Sequence, residues 1–248
     1  MHENTNENKE LIIGRNPITE ALKSGRELNQ LFVAKGERSG SLAHIISLAK
    51  QQGIPIKEVD AKKLDYMSAG GVHQGVAAFC AAHAYSSVEE ILACAEQRGE
   101  APFIIICDEI EDPHNLGAII RTADAVGAHG VIVPKRRSAA LTGVVAKASA
   151  GAIEYVKVAR VTNLAAVMDE LKQKNIWLYC SDMDGEDYRK VNFSGGVGLV
   201  IGSEGRGVSR LVKQKCDVVV SLPMKGAINS LNASVAAAVL MYAAADGR

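Results

Sequence analysis

The second half of the chain carries short, continuous runs of apolar residues instead of alternating ones. They read FIIIC from Phe103, GVIV from Gly130, IWLYC from Ile176, VGLVIG from Val197 and DVVVSL from Asp217. Strands that are buried on both faces have this pattern, which is typical of a parallel sheet covered by helices on each side. The pattern therefore predicts an α/β fold with a mostly parallel sheet.

Helical patterns occupy most of the gaps between these runs. We predict helices over residues 116–126, 142–149, 164–174, 207–213 and 231–245. The last helix has almost no polar face, so we expect it to be buried nearly all round, either by the core or by a second subunit. It is also too short and alanine-rich to span a bilayer.

A smaller alternating α/β unit precedes this sheet. Strand patterns read LII, NQLFVAK, IPIKEV and GVAAFCA, with helix patterns between them, and the first helix is predicted to begin with Asn16 as N-cap and Pro17 at its first position. We predict a disordered polar tail over residues 1–9 and a small domain over residues 10–83. A linker with a helix follows over residues 84–101, and a second domain spans residues 102–248.

Composition narrows the class of protein. The 248 residues contain 28 Lys and Arg against 28 Asp and Glu, so any binding to nucleic acid would depend on a localised basic patch. Five scattered cysteines without a C-x-x-C pair indicate a reducing cytoplasm, and the six histidines lack metal-ligand spacing. The polar N-terminus has no apolar core for a signal peptide. We expect a soluble, cytoplasmic protein without a metal site.

Three loops that follow apolar runs carry candidate chemistry. In DPHNLGAIIRTADAVG, Asn115 is predicted as N-cap of a helix, and Arg121 either pairs with Asp124 on a solvated face or reaches a ligand with Asn115. In SLPMKGAINSLNAS, Asn229, Ser230 and Asn232 cluster before the last helix, where one cap would explain only one of them.

The remaining loop, GSEGRG from Gly202, follows the run VGLVI. It lacks the G-x-G-x-x-G order of a dinucleotide site and the Lys-Ser or Lys-Thr pair of a P-loop. A nicotinamide oxidoreductase is therefore a distant alternative. The carboxylate of Glu204 would also repel a phosphate. The loop is either a tight strand-to-helix turn with Glu204 exposed, or a site for a ligand that tolerates negative charge.

Together, DPHNLGAIIRTADAVGAHGVIV, GLVIGSEGRGVS and SLPMKGAINSLNASVAAAVLMY resemble the three motifs of the SpoU branch of the SPOUT methyltransferases. The intervening KASAGAIEYVKVARVTNL is similar to the subgroup that methylates a guanosine ribose in 23S ribosomal RNA. The stretch IIGRNPITEALKSG with LFVAK and VHQGVAA is similar to that subgroup's small α/β RNA-binding domain, which itself resembles a ribosomal protein. The resemblance covers about residues 10–245.

The resemblance implies an S-adenosylmethionine-dependent RNA 2′-O-ribose methyltransferase that acts as a homodimer, with a deep trefoil knot in its C-terminal part. It implies that Gly202, Leu222 and Leu231 contact the cofactor, largely through backbone groups. It also places Asn115, Arg121, Glu204, Ser230 and Asn232 around the reacting ribose. Arginine stays protonated in proteins, so we expect Arg121 to hold the adjacent phosphate and stabilise the developing oxyanion, with Glu204 orienting Arg121 or accepting a proton.

Basic residues for RNA contact are expected near the same edge of the sheet. Lys135, Arg136 and Arg137 follow one of the apolar runs, and Arg15 and Arg26 in the small domain are weaker candidates. Two alternatives stay open beside the 23S ribosomal RNA enzyme. One is a transfer-RNA ribose methyltransferase of the same family, and the other is a non-catalytic RNA-binding protein that assists ribosome assembly.

Overall fold

The computed structural model describes residues 9–36 and 40–248. Of the predicted tail, residues 1–8 lie outside the described residues, and Lys9 begins the first strand. The chain forms two compact units. The N-terminal unit contains the described residues up to Ala84 together with Ala140–Tyr155, and the sheet unit contains Tyr85–Ala139 and Val156–Arg248.

The elements alternate along the chain. In order they are β1 (Lys9–Ile13), α1 (Arg15–Lys23), β2 (Leu28–Ala34), α2 (Ser41–Gln51), β3 (Ile56–Val59), α3 (Ala61–Met67), β4 (Val76–Ala81), α4 (Val88–Arg98), β5 (Phe103–Cys107), α5 (Pro113–Ala125), β6 (Gly130–Pro134) and α6 (Gly143–Ala148). They continue with a short 3-10 helix (Ala152–Glu154), β7 (Lys157–Val161), α7 (Leu164–Gln173), β8 (Ile176–Asp187), a second 3-10 helix (Tyr188–Lys190), β9 (Gly196–Ile201), α8 (Arg210–Lys215), β10 (Val218–Ser221) and α9 (Ala233–Asp246).

The N-terminal unit is built on a four-stranded sheet with the order β1-β4-β2-β3. Strand β4 is antiparallel to β1 and β2, while β2 and β3 are parallel. This confirms the predicted small α/β unit. The unit also takes up α6 and the first 3-10 helix, which lie far along the sequence. Close packing holds that segment, because a Cβ on Gly143 would lie 2.4 Å from the carbonyl oxygen of Leu11.

Helix α1 begins earlier than the sequence predicts. Its N-cap is Gly14, with φ of 98°, instead of Asn16, and Arg15 occupies the first helical position. The backbone N–H of Arg15 donates to Oε1 of Gln74 at 2.9 Å, so a side chain from a distant loop satisfies a donor that the helix itself leaves unpaired. Pro17 is accommodated in the first turn because its position needs no N–H donor there.

The sheet unit contains a six-stranded sheet with the order β10-β8-β9-β5-β6-β7, and every neighbouring pair is parallel. All residues of β5 and β9 are buried, which confirms the prediction from their continuous apolar runs. Strand β7 was not predicted. It lies at the edge of the sheet, and its sequence KVARV mixes buried and partly exposed positions instead of forming an apolar run.

Helices cover this sheet and leave its carboxyl edge for loops. Helix α7 contributes Met168 and Leu171 to a core cluster with Ile104 of β5 and Val200 of β9. Helices α5 and α9 pack against each other. Ligands of parallel α/β sheets bind beyond the carboxyl ends of the strands, so the loops after β5, β9 and β10 are the places to examine. No helix among the described residues combines the length and apolar character needed to cross a membrane.

Candidate active site

The loops after β5 and β9 are held together by a buried aspartate. The side chain of Asp108 is almost fully buried, and its Oδ2 accepts the backbone N–H of Ser209 at 2.7 Å. Its own backbone N–H donates to the carbonyl of Ile201 at 2.8 Å. A buried carboxylate that lost the Ser209 donor would be costly, so this contact fixes the spacing of the two loops.

Three of the predicted site residues meet in one hydrogen-bonded cluster. Nδ2 of Asn115 donates to Oε1 of Glu204 at 2.8 Å, and Nδ2 of Asn232 donates to Oδ1 of Asn115 at 2.9 Å. Asn232 also donates to Oε1 of Glu204, which accepts the backbone N–H of Ala233 at 3.3 Å as well. Residues at the starts of α5 and α9 therefore orient the carboxylate of the glycine loop.

Asn115 is free for this contact because it does not cap α5. The N-cap is Asp112, whose Oδ1 accepts the N–H of His114 at 2.9 Å, with Pro113 at the first helical position. The expectation that Asn115 is the cap was therefore wrong. Its side chain is buried and points to Glu204 instead. Asn232, in contrast, both contacts Glu204 and caps a helix. Its Nδ2 donates to Glu204, and its Oδ1 accepts the N–H groups of Ser234 and Val235 at the start of α9.

The structure does not bring all five predicted ribose-site residues together. Arg121 is exposed and lies six residues beyond Asn115 on α5, which corresponds to about 9 Å along the helix axis. Among the described residues, no hydrogen bond or ion pair joins Arg121 to Glu204, so the asparagines orient the carboxylate instead. Ser230 is exposed and lies on the wall of the adjoining cavity.

The glycine loop after β9 closes on itself. The backbones of Ser203 and Gly207 exchange hydrogen bonds of 3.1 and 2.9 Å. A Cβ on Gly202 would lie 2.1 Å from the carbonyl carbon of Gly207, so no larger residue fits there without moving the loop. Gly205 and Gly207 have φ of 82° and 66°, a conformation that favours glycine. The closed turn delays helix α8, which begins at Arg210 instead of the predicted residue 207.

Two cavities border Glu204. The larger has a volume of about 500 Å³, and the smaller has a volume of about 310 Å³. The larger cavity is lined by the three predicted cofactor contacts and by two ribose-site residues, namely Gly202, Leu222, Leu231, Glu204 and Ser230. The smaller one is lined by residues of the β5–α5 loop and the glycine loop, among them Glu109, Asn115 and Arg206.

The wall of the larger cavity carries three carboxylates, Asp182, Asp184 and Glu204, against two cations, Arg206 and Lys213. Oδ2 of Asp182 lies 2.8 Å from Nζ of Lys213. Partial burial raises the pKa of Asp182, but hydrogen bonds from Lys213 and from the backbone N–H of Asp184 outweigh it, so the pKa lies below its ordinary value. Asp182 is therefore ionised at neutral pH. This environment suits a cationic ligand better than a phosphate.

The predicted RNA-binding arginines and lysine have different surroundings. Lys135 and Arg136 are exposed after β6, whereas Nη1 of Arg137 donates to Oε1 of Glu109 at 2.6 Å. In the N-terminal unit, Nε of Arg15 donates to the carbonyl of Gln74 at 3.0 Å. Within the described ranges, no group of three His, Cys, Asp or Glu side chains could hold a metal ion.

Arg26, the other candidate of the small domain, has a structural role. Its guanidinium is nearly buried between two carboxylates, 3.1 Å from Oε2 of Glu10 and 2.8 Å from Oε1 of Glu154. It therefore ties the Ala140–Tyr155 segment to β1 within the N-terminal unit.

Sequence reasoning missed the acidic and basic side chains around the smaller cavity. Glu109, Glu111 and Arg206 line it, and Asp108 fixes the loops beside it. The available signal was their position, because DEIED directly follows an apolar run, and Arg206 stands inside the glycine loop.

Comparisons with known proteins place both parts of the chain in one family. The model of the SpoU rRNA Methylase family matches residues 102–242, and the model for RNA 2′-O ribose methyltransferase substrate binding matches residues 11–86. A Bacillus subtilis protein assigned to the TrmH family of tRNA/rRNA methyltransferases, YacO, is 53% identical over 232 residues, which is 93% of each chain.

Solved structures of related proteins have the same fold. The SpoU methyltransferase AviRb of Streptomyces viridochromogenes, crystallised with AdoMet, superposes with a TM-score of 0.79 and 25% identity, covering 98% of this chain and 93% of AviRb. The TrmH/SpoU tRNA modifying enzyme of A. aeolicus covers 60% of this chain and 76% of its own, with a TM-score of 0.55 and 27% identity. Fold and sequence agree, and the chain belongs to the SpoU rRNA methylase family of RNA 2′-O-ribose methyltransferases.

Proposed function

We propose that this protein uses S-adenosylmethionine to methylate the 2′-hydroxyl of a guanosine ribose in 23S ribosomal RNA. The observation that carries the proposal is the position of Glu204. Its carboxylate is held by Asn115 and Asn232 between a cavity suited to the cofactor and a second cavity open to a substrate. That arrangement is expected of a site where two ligands must meet in line.

The residues present fit the cofactor. The larger cavity lies within the 300–1,000 Å³ that small-molecule sites commonly have. Gly202 offers backbone without a side chain, Leu222 and Leu231 offer apolar contact, and Glu204 with Asp182 suits a sulfonium cation. When bound, the cofactor supplies an activated methyl group, so the protein's task is to align and activate the hydroxyl.

Glu204 is the proposed acceptor of the hydroxyl proton. Its Oε1 receives the N–H donors of Asn115, Asn232 and Ala233, and no hydrogen bond within the described part of the chain occupies its Oε2. We propose that Oε2 accepts the 2′-hydroxyl, takes its proton as charge develops, and is kept in place by the two asparagines. Ser230, on the cavity wall, would contact the hydroxyl or the cofactor.

Arg121 is proposed to hold the phosphate next to the reacting ribose. It is exposed, always charged, and on the same helix as Asn115. Its place about two turns beyond Asn115 on α5 suits a group that binds a neighbouring phosphate. Lys135, Arg136, Arg137 and, in the N-terminal unit, Arg15 are proposed to contact other phosphates of the RNA backbone.

We also propose that the protein is a homodimer and that its C-terminal part is knotted. Helix α9 buries Ala237 and Leu240 but leaves Val235, Val239 and Tyr242 between 36% and 53% exposed on its other side. The prediction that the core alone might bury this helix all round is therefore not met by one chain, and a second copy would cover the exposed face. All five cysteines are free thiols, which suits the proposed cytoplasmic location.

Methyl transfer to unmodified RNA tests the main proposal. The full chain is incubated with S-adenosylmethionine labelled in its methyl group and with unmodified 23S ribosomal RNA transcribed in vitro. Alkali-resistant positions are then mapped, because a 2′-O-methyl group blocks cleavage at its own nucleotide. We expect label at a guanosine of the ribosomal RNA. A Glu204→Ala variant, as the control, should transfer little or none.

The same assay separates the alternatives. Unmodified transfer RNA is supplied in parallel, because the relatives are described as tRNA/rRNA methyltransferases and one neighbour is a tRNA modifying enzyme. Label on transfer RNA alone would favour the transfer-RNA enzyme. The substrate-binding match over residues 11–86 is consistent with a larger RNA. Binding of ribosomal RNA without cofactor binding, measured by calorimetry, would favour a non-catalytic assembly factor.

A further inference from the structure

An ion-paired cluster of Glu109, Arg137 and Arg206 borders the smaller cavity, and the function proposed above gives no role to Glu109 or Arg206. Oε1 of Glu109 accepts the hydrogen bond from Arg137 at 2.6 Å, and its Oε2 lies 3.9 Å from Nη1 of Arg206. The side chains of Arg137 and Arg206 are 65% and 80% exposed, whereas that of Glu109 is 19% exposed. One sheltered carboxylate therefore stands between two arginines that face solvent.

The backbone holds this cluster in place at a cost in conformational energy. Glu109 has φ of 58° and Arg137 has φ of 55°, a region that residues other than glycine rarely adopt. The backbone N–H of Ala139 donates to the carbonyl of Ile110 at 2.9 Å, so the two loops are fixed to each other directly beside the ion pair. The two arginines are thus positioned around a single place for an anion.

The chemistry of that place suits a phosphate. Carboxylate and phosphate oxygens compete for the same guanidinium donors, and arginine binds phosphate with particular geometric fit. The cavity is also lined by Asn115 and Glu204 of the proposed ribose site, so Arg206 on its wall, and Arg137 through its contact with Glu109, would lie near a nucleotide bound there. We propose that Arg137 and Arg206 bind a backbone phosphate of the substrate strand, and that Glu109 occupies this anion position until the RNA displaces it.

This role makes Glu109 a specificity-determining residue. It rests on the proposed function, because it assumes an RNA strand at the ribose site. Every RNA strand that crosses the cavity must break the contacts between Glu109 and the two arginines. Only an RNA strand that places a phosphate between Arg137 and Arg206 gives these arginines new contacts in return. Ion pairs between exposed side chains are weak, so the displacement costs only a few-fold in affinity.

Removing the charge of Glu109 tests the proposal. The dissociation constant of full-length protein for radiolabelled, unmodified 23S ribosomal RNA is measured by filter binding without cofactor. Glu109→Gln keeps the size of the side chain and should tighten binding about two- to fivefold, as expected for the loss of an exposed ion pair. The matched control is Glu111→Gln, which removes the same charge from the same loop. Within the described residues, Glu111 forms no ion pair with Arg137 or Arg206. The gain in RNA affinity from Glu111→Gln should therefore stay below about twofold.

The same substitution in a background without the two arginines tests whether Glu109 acts through them. In an Arg137→Ala, Arg206→Ala background, Glu109→Gln should no longer tighten binding, because the arginines that it would free are gone. Equal gains for Glu109→Gln and Glu111→Gln, or a gain that persists in this background, would overturn the proposal. Failure of the wild-type protein to methylate any RNA would instead overturn the proposed function, because the binding comparison does not depend on methyl transfer.

Discussion

Glu204 acquires its role from its neighbours. A carboxylate among glycines looks unsuited to a ligand site, because such loops commonly bind phosphate. The structure surrounds Oε1 of Glu204 with N–H donors from Asn115, Asn232 and Ala233. These donors fix the direction of the carboxylate. Each of the three motifs therefore supplies part of one small hydrogen-bonded unit.

Asn115→Asp tests how far the site depends on this arrangement. The new carboxylate would replace a donor that lies 2.8 Å from Oε1 of Glu204, so two like charges would face each other. We expect methyl transfer at neutral pH to fall at least about tenfold, with partial recovery as acidification protonates one of the pair. The pH–rate profile measures this. Asn163→Asp is the control, because Asn163 caps α7, where a carboxylate is well tolerated. Equal rates for both variants would contradict the role of Asn115.

Arg121→Lys tests whether Arg121 binds phosphate through two parallel donors. Lysine keeps the charge but lacks the planar pair of N–H groups. We expect methyl transfer at saturating cofactor to fall about tenfold or more, with little change in cofactor affinity by calorimetry. The control is the reverse exchange, Lys174→Arg, at the C-cap of α7 and away from the site. Near-normal turnover with a shifted pH profile would instead indicate that Arg121 takes part in proton transfer.

At the level of elements, the apolar sequence runs predicted the sheet well. Strands β5, β6, β8, β9 and β10 and the parallel arrangement all followed from continuous apolar runs. Strand β7 did not, because its sequence KVARV includes Lys157 and Arg160 and so forms no continuous apolar run. The start of α1 and the cap of α5 depend on side-chain contacts of Gln74 and Asp112 that local sequence preference does not encode uniquely. The cluster at Glu204 could be anticipated by motif, but its hydrogen bonds could not.

Helix α9 provides a prediction about assembly. Val239→Glu places a charge in the middle of its exposed apolar face, which would be buried in the proposed homodimer. We expect sedimentation equilibrium to show a monomer, or a dimer at least tenfold weaker. Val144→Glu is the matched control, because Val144 is a similarly exposed valine on helix α6. A monomeric wild-type protein, or no effect of Val239→Glu, would contradict the proposed interface.

His129, which lies between α5 and β6 and contacts β5, gives a prediction about the pH dependence of stability. Nδ1 of His129 accepts the backbone N–H of Phe103 at 2.9 Å, and Nε2 lies 3.0 Å from Glu100. Burial lowers the pKa of His129, although the hydrogen bond to Glu100 opposes it. The unfolded chain therefore binds a proton at this histidine more readily than the folded chain. The contribution of neutral His129 to the free energy of unfolding is complete above about pH 6.5 and is lost as the pH falls below that value. Urea unfolding between pH 5 and 8 should show the loss, and His129→Asn should show less of it. Identical pH dependence in both proteins would contradict this account.

At the scale of the whole molecule, the N-terminal unit depends on a distant segment of the chain. Arg26 lies between Glu10 and Glu154 with little exposure, so one cation balances two carboxylates from separate segments. Burial raises the pKa of Glu10 despite the pairing with Arg26. The cluster therefore has little tolerance for loss of the arginine.

Arg26→Met should destabilise the N-terminal unit by about 3–5 kcal/mol, because it leaves buried carboxylates without their cation. Lys23→Met is the control, since Lys23 pairs with Glu20 on the surface and its loss should cost at most about 1 kcal/mol. Hydrogen exchange followed by mass spectrometry can resolve α1 and α6 from the sheet unit. Equal protection of α1 in both variants would show that the cluster contributes no net stability.

The N-terminal unit is built from two separate stretches of the chain, and this has a consequence for synthesis on the ribosome. This unit is completed by Ala140–Tyr155, which the ribosome makes only after Tyr85–Ala139 of the sheet unit. At about 5–20 residues per second, the four-stranded sheet would wait several seconds for its last helix. During that time Arg26 and Glu10 lack Glu154, and the surface beneath Gly143 is open. The N-terminal unit can therefore finish folding only after Tyr85–Ala139 of the sheet unit has been made, although still before the sheet unit is completed by Val156–Arg248.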